Sequence, residues 1–135
     1  MKKVVIIDGQ GGRLGQLIAD GIIKSGVECD LYGIGTNTAA TEAMIKAGIK
    51  NAATGENPVI VACRDADIII GPIAITSADS LMGEITPKIA VSVGSSKAVK
   101  LLLPVSHCNN LVVGTKKLGM NDLVSETLEE LKDLL

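Results

Sequence analysis

The chain begins with an uninterrupted apolar run, Val4–Ile7, which ends at Asp8 and is followed by a glycine-rich loop. Four consecutive β-branched residues predict a buried strand over Lys2–Asp8, because unbroken aliphatic runs are typical of strands covered on both faces. Arg13–Ser25 is predicted to be a helix, since its apolar residues recur at helical spacing. These residues are Leu14, Leu17, Ile18, Ile22 and Ile23.

The next segment repeats the alternation of strand and helix. Val27–Ile34 is predicted to be a strand, and Ala39–Ala47 a helix that ends before Gly48. Strand, helix, strand and helix in succession are the opening of a doubly wound α/β fold. Residues 51–57, NAATGEN, have no periodicity and are predicted to form a polar loop.

Residues 58–64 are compatible with two structures. Asn57 followed by Pro58 is typical of a helix start, because proline is well tolerated at the first helical position. The β-branched run Val59–Val61 favours a strand instead. A short helix is the preferred interpretation.

Residues 86–94 present a similar choice. Thr86 and Pro87 have the order of an N-cap and a first helical residue, with Gly94 as a plausible end. Apolar residues at every second position argue for a strand. A helix is preferred here as well, since parallel strands need a crossover between them.

The remaining pattern predicts further strands at Asp67–Gly71, Lys100–Val105 and Asn110–Gly114, and a short helix at Thr76–Met82 with Thr76 as its cap. Asn121–Leu135 is predicted to be an amphipathic helix that Asn121 caps. One face of this helix carries Val124, Leu128, Leu131 and Leu135.

The composition agrees with a sheet covered by helices on both faces. Hydrophobic residues make up 47% of the 135 residues but aromatic residues only 1%, so the core must consist of Ile, Val, Leu and Ala. There is no linker and no internal repeat. The predicted fold is a three-layer, doubly wound α/β domain over residues 1–135, with a mainly parallel sheet of about five strands.

Charge and cysteine usage exclude several classes of protein. The net charge is -2, with no basic stripe and no stacking aromatic residues, so no nucleic acid is expected as a partner. No apolar run approaches the roughly 20 residues that span a bilayer, so no membrane contact is expected. The three cysteines lie far apart without metal-ligand or disulfide spacing, which predicts no metal site and a cytoplasmic location.

A homodimer is expected, because so apolar a short chain has more aliphatic surface than one core hides.

The loop after the first strand contains four glycines in seven residues. Glycines at a strand-to-helix turn let several backbone N–H groups converge on a phosphate, and the helix dipole favours the negative charge. The residues predicted to bind a phosphate-bearing small ligand are Gly9, Gln10, Gly11, Gly12, Arg13, Leu14 and Gly15. The alternative is that these glycines only allow the helix to pack closely on the strand.

Residues 4–15, VVIIDGQGGRLG, and residues 64–72, RDADIIIGP, resemble dinucleotide-binding Rossmann domains, with a loop similar to those of extended short-chain and prephenate dehydrogenases. The resemblance implies a Rossmann-like fold with NAD or NADP as cofactor, bordered by Gly71 and Pro72. It implies an oxidoreductase or a cofactor sensor. The alternative function is a non-catalytic binding module for a small phosphorylated metabolite.

The second strand ends in Gly35, Thr36 and Asn37, without the acidic residue that usually binds the ribose hydroxyls. These three residues are predicted to lie in the cofactor site, where Thr36 and Asn37 would bind ribose or a second phosphate. A neutral pair would tolerate a 2′-phosphate better than an acid. The alternative is that Asn37 or Thr38 caps the second helix.

No catalytic residue is assigned from the sequence. Glu56 and Glu84 are lone carboxylates in polar loops and are interpreted as solvated. His107 as a base or Cys108 as a nucleophile is one interpretation of these residues. The preferred interpretation is that they lie in a turn and have no catalytic role, since adjacent side chains rarely point at one another. Asp8 directly precedes the glycines, where its charge would oppose a pyrophosphate unless a metal or a donor intervened.

Five stretches of the sequence carry a further resemblance over residues 4–88. They are IDGQGG, GIGTNTAAT, ATGENP, DIIIGP and GEITP. The chain resembles an uncharacterised family of short bacterial proteins, the domain of unknown function 3842. This resemblance implies no activity, and it leads us to expect a complete small protein.

Overall fold

The computed structural model describes residues 1–105, 109–115 and 118–135. Its strands are β1 (Lys3–Asp8), β2 (Asp30–Gly35), β3 (Asn51–Thr54), β4 (Ile68–Pro72) and β5 (Val99–Leu103). Its α-helices are α1 (Arg13–Ser25), α2 (Thr38–Lys46), α3 (Glu56–Cys63), α4 (Pro87–Ser95) and α5 (Met120–Leu134). A 3₁₀ turn, Ile73–Thr76, follows β4.

The five strands form one sheet in the order β3-β2-β1-β4-β5, and every neighbouring pair is parallel. Helices cover both faces of this sheet. Val4 and Ile6 of β1 pack in the cluster that contains α1, α2 and α5, whereas Val5 and Ile7 pack in the cluster that contains α3 and α4. All four side chains are fully buried, which explains why β1 has no polar alternation. The predicted doubly wound α/β fold is confirmed.

Several helices begin and end where the local signals predicted. Helix α1 lies between Gly12 and Gly26, which both have the left-handed backbone that glycine adopts without a steric penalty. Thr86 caps α4, because its Oγ1 accepts a hydrogen bond from the Ile89 N–H at 3.1 Å. The helices preferred for residues 58–64 and 86–94 are confirmed, but α3 begins at Glu56 with Gly55 as its N-cap, so Asn57 is not the cap.

The prediction of a polar loop at residues 51–57 is wrong. Residues Asn51–Thr54 form the edge strand β3, which pairs with Tyr32–Gly35 of β2, and α3 begins at Glu56. An edge strand of four half-exposed residues needs no apolar run, so its pairing with β2 decides its structure. The second strand also begins at Asp30 rather than at Val27.

The helix predicted at Thr76–Met82 is absent. Thr76 ends the 3₁₀ turn and donates its hydroxyl to the Ile73 carbonyl at 2.8 Å instead of capping a helix. The following residues form tight turns in which Asp79, Leu81 and Met82 have φ of 65°, 53° and 57°. Three left-handed residues so close together are incompatible with an α-helix.

Two predictions near the carboxyl end are also wrong. Asn110–Gly114 forms no strand, and Leu111 and Val113 are almost fully exposed, because no described strand lies alongside to pair with this segment. Helix α5 begins at Met120, and Gly119 at its N-cap supplies no side-chain bond, so Asn121 lies within the first turn and is not the cap. The predicted apolar face is confirmed at Val124 and Leu131, which are buried.

Among the described helices, none is both long enough and apolar enough to cross a membrane.

Candidate functional site

The loops that follow β1, β2 and β4 lie at one edge of the sheet, since all the strands run in the same direction. The first two loops are in direct contact. The Thr36 N–H donates to the Asp8 carbonyl at 2.9 Å, and Asn37 Nδ2 donates to the Gln10 carbonyl at 2.9 Å. Gly71 lies so close to β1 that a Cβ there would be 2.5 Å from the Ile7 carbonyl oxygen. The loops after β1 and β2 are therefore in contact, and the carboxyl end of β4 lies beside them.

The loop after β1 is a tight turn that leads directly into α1. The Gly12 N–H donates to the Gly9 carbonyl at 3.0 Å, and the Gln16 N–H donates to the Gly12 carbonyl at 2.9 Å. Gln10 and Gly12 have φ of 50° and 76°. The turn aims the amino end of α1 at the edge of the sheet.

The glycines in this loop have different roles. A Cβ on Gly12 would lie 2.6 Å from Ala40 Cα, and one on Gly15 would lie 2.9 Å from Asp8 Cβ. A Cβ on Gly9 would lie 2.6 Å from Thr36 Oγ1. These three glycines permit close packing, as the alternative interpretation of the sequence states. Gly11 differs, because a Cβ there meets nothing within 4 Å.

Asp8 is a buried carboxylate beneath the loop. Its Oδ1 accepts from the Gly9 N–H at 2.8 Å, and its Oδ2 accepts from the Gly15 N–H at 2.6 Å. Asp8 thus caps α1, whose N-cap Gly12 has no side chain for this purpose. Burial raises the pKa of Asp8, the two N–H donors lower it, and the nearby charge of Glu84 raises it, with a net increase.

Glu84 reaches the same loop from the turn between β4 and α4. Its Oε1 accepts from the Gln10 N–H at 2.9 Å, from Thr36 Oγ1 at 2.7 Å and from Asn37 Nδ2 at 2.8 Å. Burial raises the pKa of Glu84, but the three donors outweigh burial, and the pKa is lowered overall. The interpretation of Glu84 as a solvated loop residue is wrong, because its carboxylate joins the ends of β1 and β2.

Three backbone donors of the loop have no partner in the described part of the chain. They are the N–H groups of Gly11, Arg13 and Leu14. Arg13 and Leu14 are the first two residues of α1, where N–H groups lack partners within the helix. Three free donors beside a helix amino end are suited to hold an anion.

Comparison with known proteins now identifies the family. The family model described as domain of unknown function (DUF3842) matches residues 3–135. The chain belongs to this family. The resemblance found in the sequence is thereby confirmed, and no curated protein matches the chain.

The fold of this DUF3842 chain is similar to that of prephenate dehydrogenase from A. aeolicus, whose crystal structure contains hydroxyphenyl propionate and NAD+. The TM-score is 0.51 at 15% sequence identity. The match covers 99% of the DUF3842 chain and 56% of the dehydrogenase chain, so the DUF3842 chain spans little more than half of that structure's length. The similarity supports the Rossmann-like fold.

The other predicted site residues have distinct positions in the DUF3842 structure. Asn37 is the N-cap of α2, with its Oδ1 accepting from the Ala40 N–H at 2.9 Å, and its Nδ2 also faces the loop. Gly35 gives Thr41 the room to approach β2. Glu56 is the first residue of α3. His107 and Cys108 lie outside the described residues.

The sequence contained no signal for the link between Glu84 and the glycine loop. Gln10 and Glu84 are 74 positions apart, and neither belongs to a pattern that pairs them. Glu84 follows a turn of left-handed residues that was predicted to be a helix. Only the tertiary structure brings this carboxylate to the edge of the sheet.

Proposed function

We propose that this DUF3842 chain is a nucleotide-binding protein whose ligand is NAD or NADP, with the phosphates at the loop formed by residues 9–15. The observation that carries this proposal is the set of free N–H groups on Gly11, Arg13 and Leu14. They lie on and beside Gly11, the one loop glycine at which an added Cβ would meet no atom within 4 Å. The helix dipole adds favourable charge at the same point.

The two carboxylates of the site do not remove these donors. Asp8 accepts from Gly9 and Gly15, and Glu84 accepts from Gln10. Both oxygens of the buried Asp8 carboxylate accept backbone N–H groups, which supports a phosphate position that the Asp8 side chain does not occupy. The exposed Arg13 side chain, two residues after Gly11, supplies a cation.

A dinucleotide fits the arrangement of loops around the phosphate position. In open α/β sheets, ligands bind outside the carboxyl ends of strands where the strand order reverses. In this sheet β2 and β4 flank β1, which supports a dinucleotide with one half towards Thr36 and Asn37. The other half lies towards Gly71 and Pro72. NAD+ in the similarly folded prephenate dehydrogenase supports the same class of ligand.

The proposal is tested with a panel of NAD, NADP, ATP, FMN and sugar phosphates, first by thermal shift and then by calorimetric titration. The informative variant is Gly11→Val, since its side chain enters open space at the phosphate approach. We expect binding to weaken by about tenfold or more, because even two charge-assisted hydrogen bonds contribute about 2 kcal/mol.

The matched control is Gly94→Val, because Gly94 of α4 is equally open but remote from the loop. It should bind like the wild type. If folded Gly11→Val binds as tightly as wild type, the phosphate does not lie on this loop. If only sugar phosphates bind, the protein is a module for a phosphorylated metabolite. Turnover of the bound nucleotide then separates an oxidoreductase from a sensor.

A further inference from the structure

The turn between β4 and α4 carries a carboxylate to the carboxyl end of β2. In NAD-binding Rossmann domains an acid at the end of the second strand accepts hydrogen bonds from the ribose hydroxyls, whereas an arginine there accommodates the 2′-phosphate of NADP. Strand β2 ends in Gly35 and is followed by Thr36 and Asn37, so it supplies no acid of its own. Glu84 fills that position from a different part of the chain.

We propose that Glu84 accepts a hydrogen bond from a hydroxyl of the adenosine ribose and thereby makes the site selective for NAD over NADP. This inference rests on the proposed function and assigns its ligand more narrowly. It also reverses the expectation that the neutral pair Thr36 and Asn37 would tolerate a 2′-phosphate.

The hydrogen bonds of Glu84 leave one oxygen available. Oε1 already accepts from Gln10, Thr36 and Asn37, whereas Oε2 makes no hydrogen bond with any described residue. A carboxylate accepts hydrogen bonds and donates none, so Oε2 suits a ribose hydroxyl and repels a phosphate placed directly against it. The three donors favour the charged form and lower the pKa of Glu84 despite its partial burial.

Glu84 forms no ion pair with any cation in the described part of the chain. The two ion pairs found there join Lys3 to Asp65 and Lys24 to Asp20, and neither includes Glu84. A 2′-phosphate beside Glu84 would therefore meet a carboxylate that no ion pair neutralises. Such like-charge contact is a direct means of excluding the wrong ligand.

The turn that carries Glu84 is held firmly on both sides. Leu81 and Ile85 are buried, the Asp79 N–H donates to the Ile85 carbonyl at 2.7 Å, and Ser80 Oγ donates to the Ala74 carbonyl at 2.6 Å. Non-glycine residues in the left-handed region are strained and persist only where their surroundings fix them. The carboxylate is thus positioned before any ligand arrives, which is required of a group that selects among ligands.

The test compares NAD with NADP by calorimetric titration for wild type, Glu84→Gln and the charge control Glu42→Gln. Glu42 is an exposed residue of α2, so its variant removes the same charge away from the crevice. We expect wild type to bind NAD at least about tenfold tighter than NADP, and Glu84→Gln to reduce this ratio by about tenfold. Glu42→Gln should keep the wild-type ratio.

A second measurement needs no variant and applies even if Glu84→Gln fails to fold. Wild type should bind 5′-AMP more tightly than adenosine 2′,5′-bisphosphate, and added salt should narrow the difference, because salt screens the repulsion. The 2′-deoxy form of AMP should also bind more weakly than AMP. These fragments lack nicotinamide, so any preference arises at the adenosine ribose.

The outcomes separate the two proposals. If neither dinucleotide nor AMP binds wild type, the proposed function fails and the selectivity with it. If NAD and NADP bind equally and Glu84→Gln leaves their ratio unchanged, nucleotide binding stands and the role of Glu84 is refuted. Tighter binding of adenosine 2′,5′-bisphosphate than of AMP would refute it as well.

Discussion

Gly11 and Gly12 are neighbours in the sequence, yet different physical reasons keep side chains from the two positions. At Gly12 the backbone is left-handed and the Cα of Ala40 in α2 leaves no room for a Cβ. At Gly11 the space is open, and the proposed reason for glycine is the approach of a ligand. The two substitutions should therefore separate packing from binding.

Gly12→Ala is expected to reduce the free energy of unfolding by about 2 kcal/mol or more. A non-glycine residue pays about 1–2 kcal/mol in the left-handed region, and the contact with α2 adds an overpacking cost. Urea denaturation measures the effect, and Gly11→Ala is the control, with an expected change within about 0.5 kcal/mol. A Gly12→Ala protein as stable as wild type would contradict the close contact between α1 and α2.

At the scale of elements, the amino end of α1 depends on a side chain from the preceding strand. Asp8 of β1 accepts from the third residue of α1 while Gly12 occupies the N-cap. The strand, the turn and the helix are therefore coupled through one buried carboxylate. Its ionisation links the stability of this unit to pH.

The pKa of Asp8 is raised above its ordinary value of 3.8. Asp8 therefore binds its proton more tightly in the folded state than in the unfolded state. Its contribution to the free energy of unfolding is present at low pH and is lost as the pH rises through the raised pKa. We expect the stability of wild type relative to Asp8→Asn to fall as pH increases above 3.8. Urea denaturation of both proteins across pH 3–7 measures this difference.

The effect of Glu84 on the pH dependence of stability is opposite to that of Asp8. Because folding lowers the pKa of Glu84, its contribution to the free energy of unfolding is lost as the pH falls. Because both proteins contain Glu84, its effect largely cancels in the comparison. A difference that stays constant with pH would show that folding does not shift the pKa of Asp8, and one that increases with pH would show that folding lowers it; either result contradicts the prediction.

At the scale of the whole molecule, apolar residues remain on the surface of the described chain. Leu111 and Val113 are 92% and 96% exposed, and Val91 of α4 is 66% exposed. Scattered apolar residues are common on protein surfaces, but several in a small domain favour association.

We expect the protein to be a homodimer at micromolar concentration. Light scattering coupled to size exclusion should give twice the mass of one chain, with a shift towards the monomer on dilution. The driving force would be burial of apolar surface, at about 25 cal/mol per Å². A monomer mass at all concentrations up to about 100 μM would refute the expectation, since a stable dimer has a dissociation constant below this range.

The sequence by itself determined the elements whose signals are local. The aliphatic run of β1, the glycines around α1 and the Thr86-Pro87 start of α4 each depend on residues within one or two turns of chain. The same local pattern predicted the parallel α/β fold, and the stretches from IDGQGG to GEITP predicted the family.

Only the tertiary structure decided the elements that exist because of distant partners. Residues 51–54 form a strand because they pair with β2. Residues 110–114 form none, because no described strand lies alongside to pair with them. Asp79, Leu81 and Met82 are left-handed in a turn that is held by the buried side chains of Leu81 and Ile85 and by the hydrogen bond between the Asp79 N–H and the Ile85 carbonyl. Glu84 reaches Gln10 across 74 positions for the same reason, since hydrophobic burial and backbone pairing act through space and leave no periodic pattern along the chain.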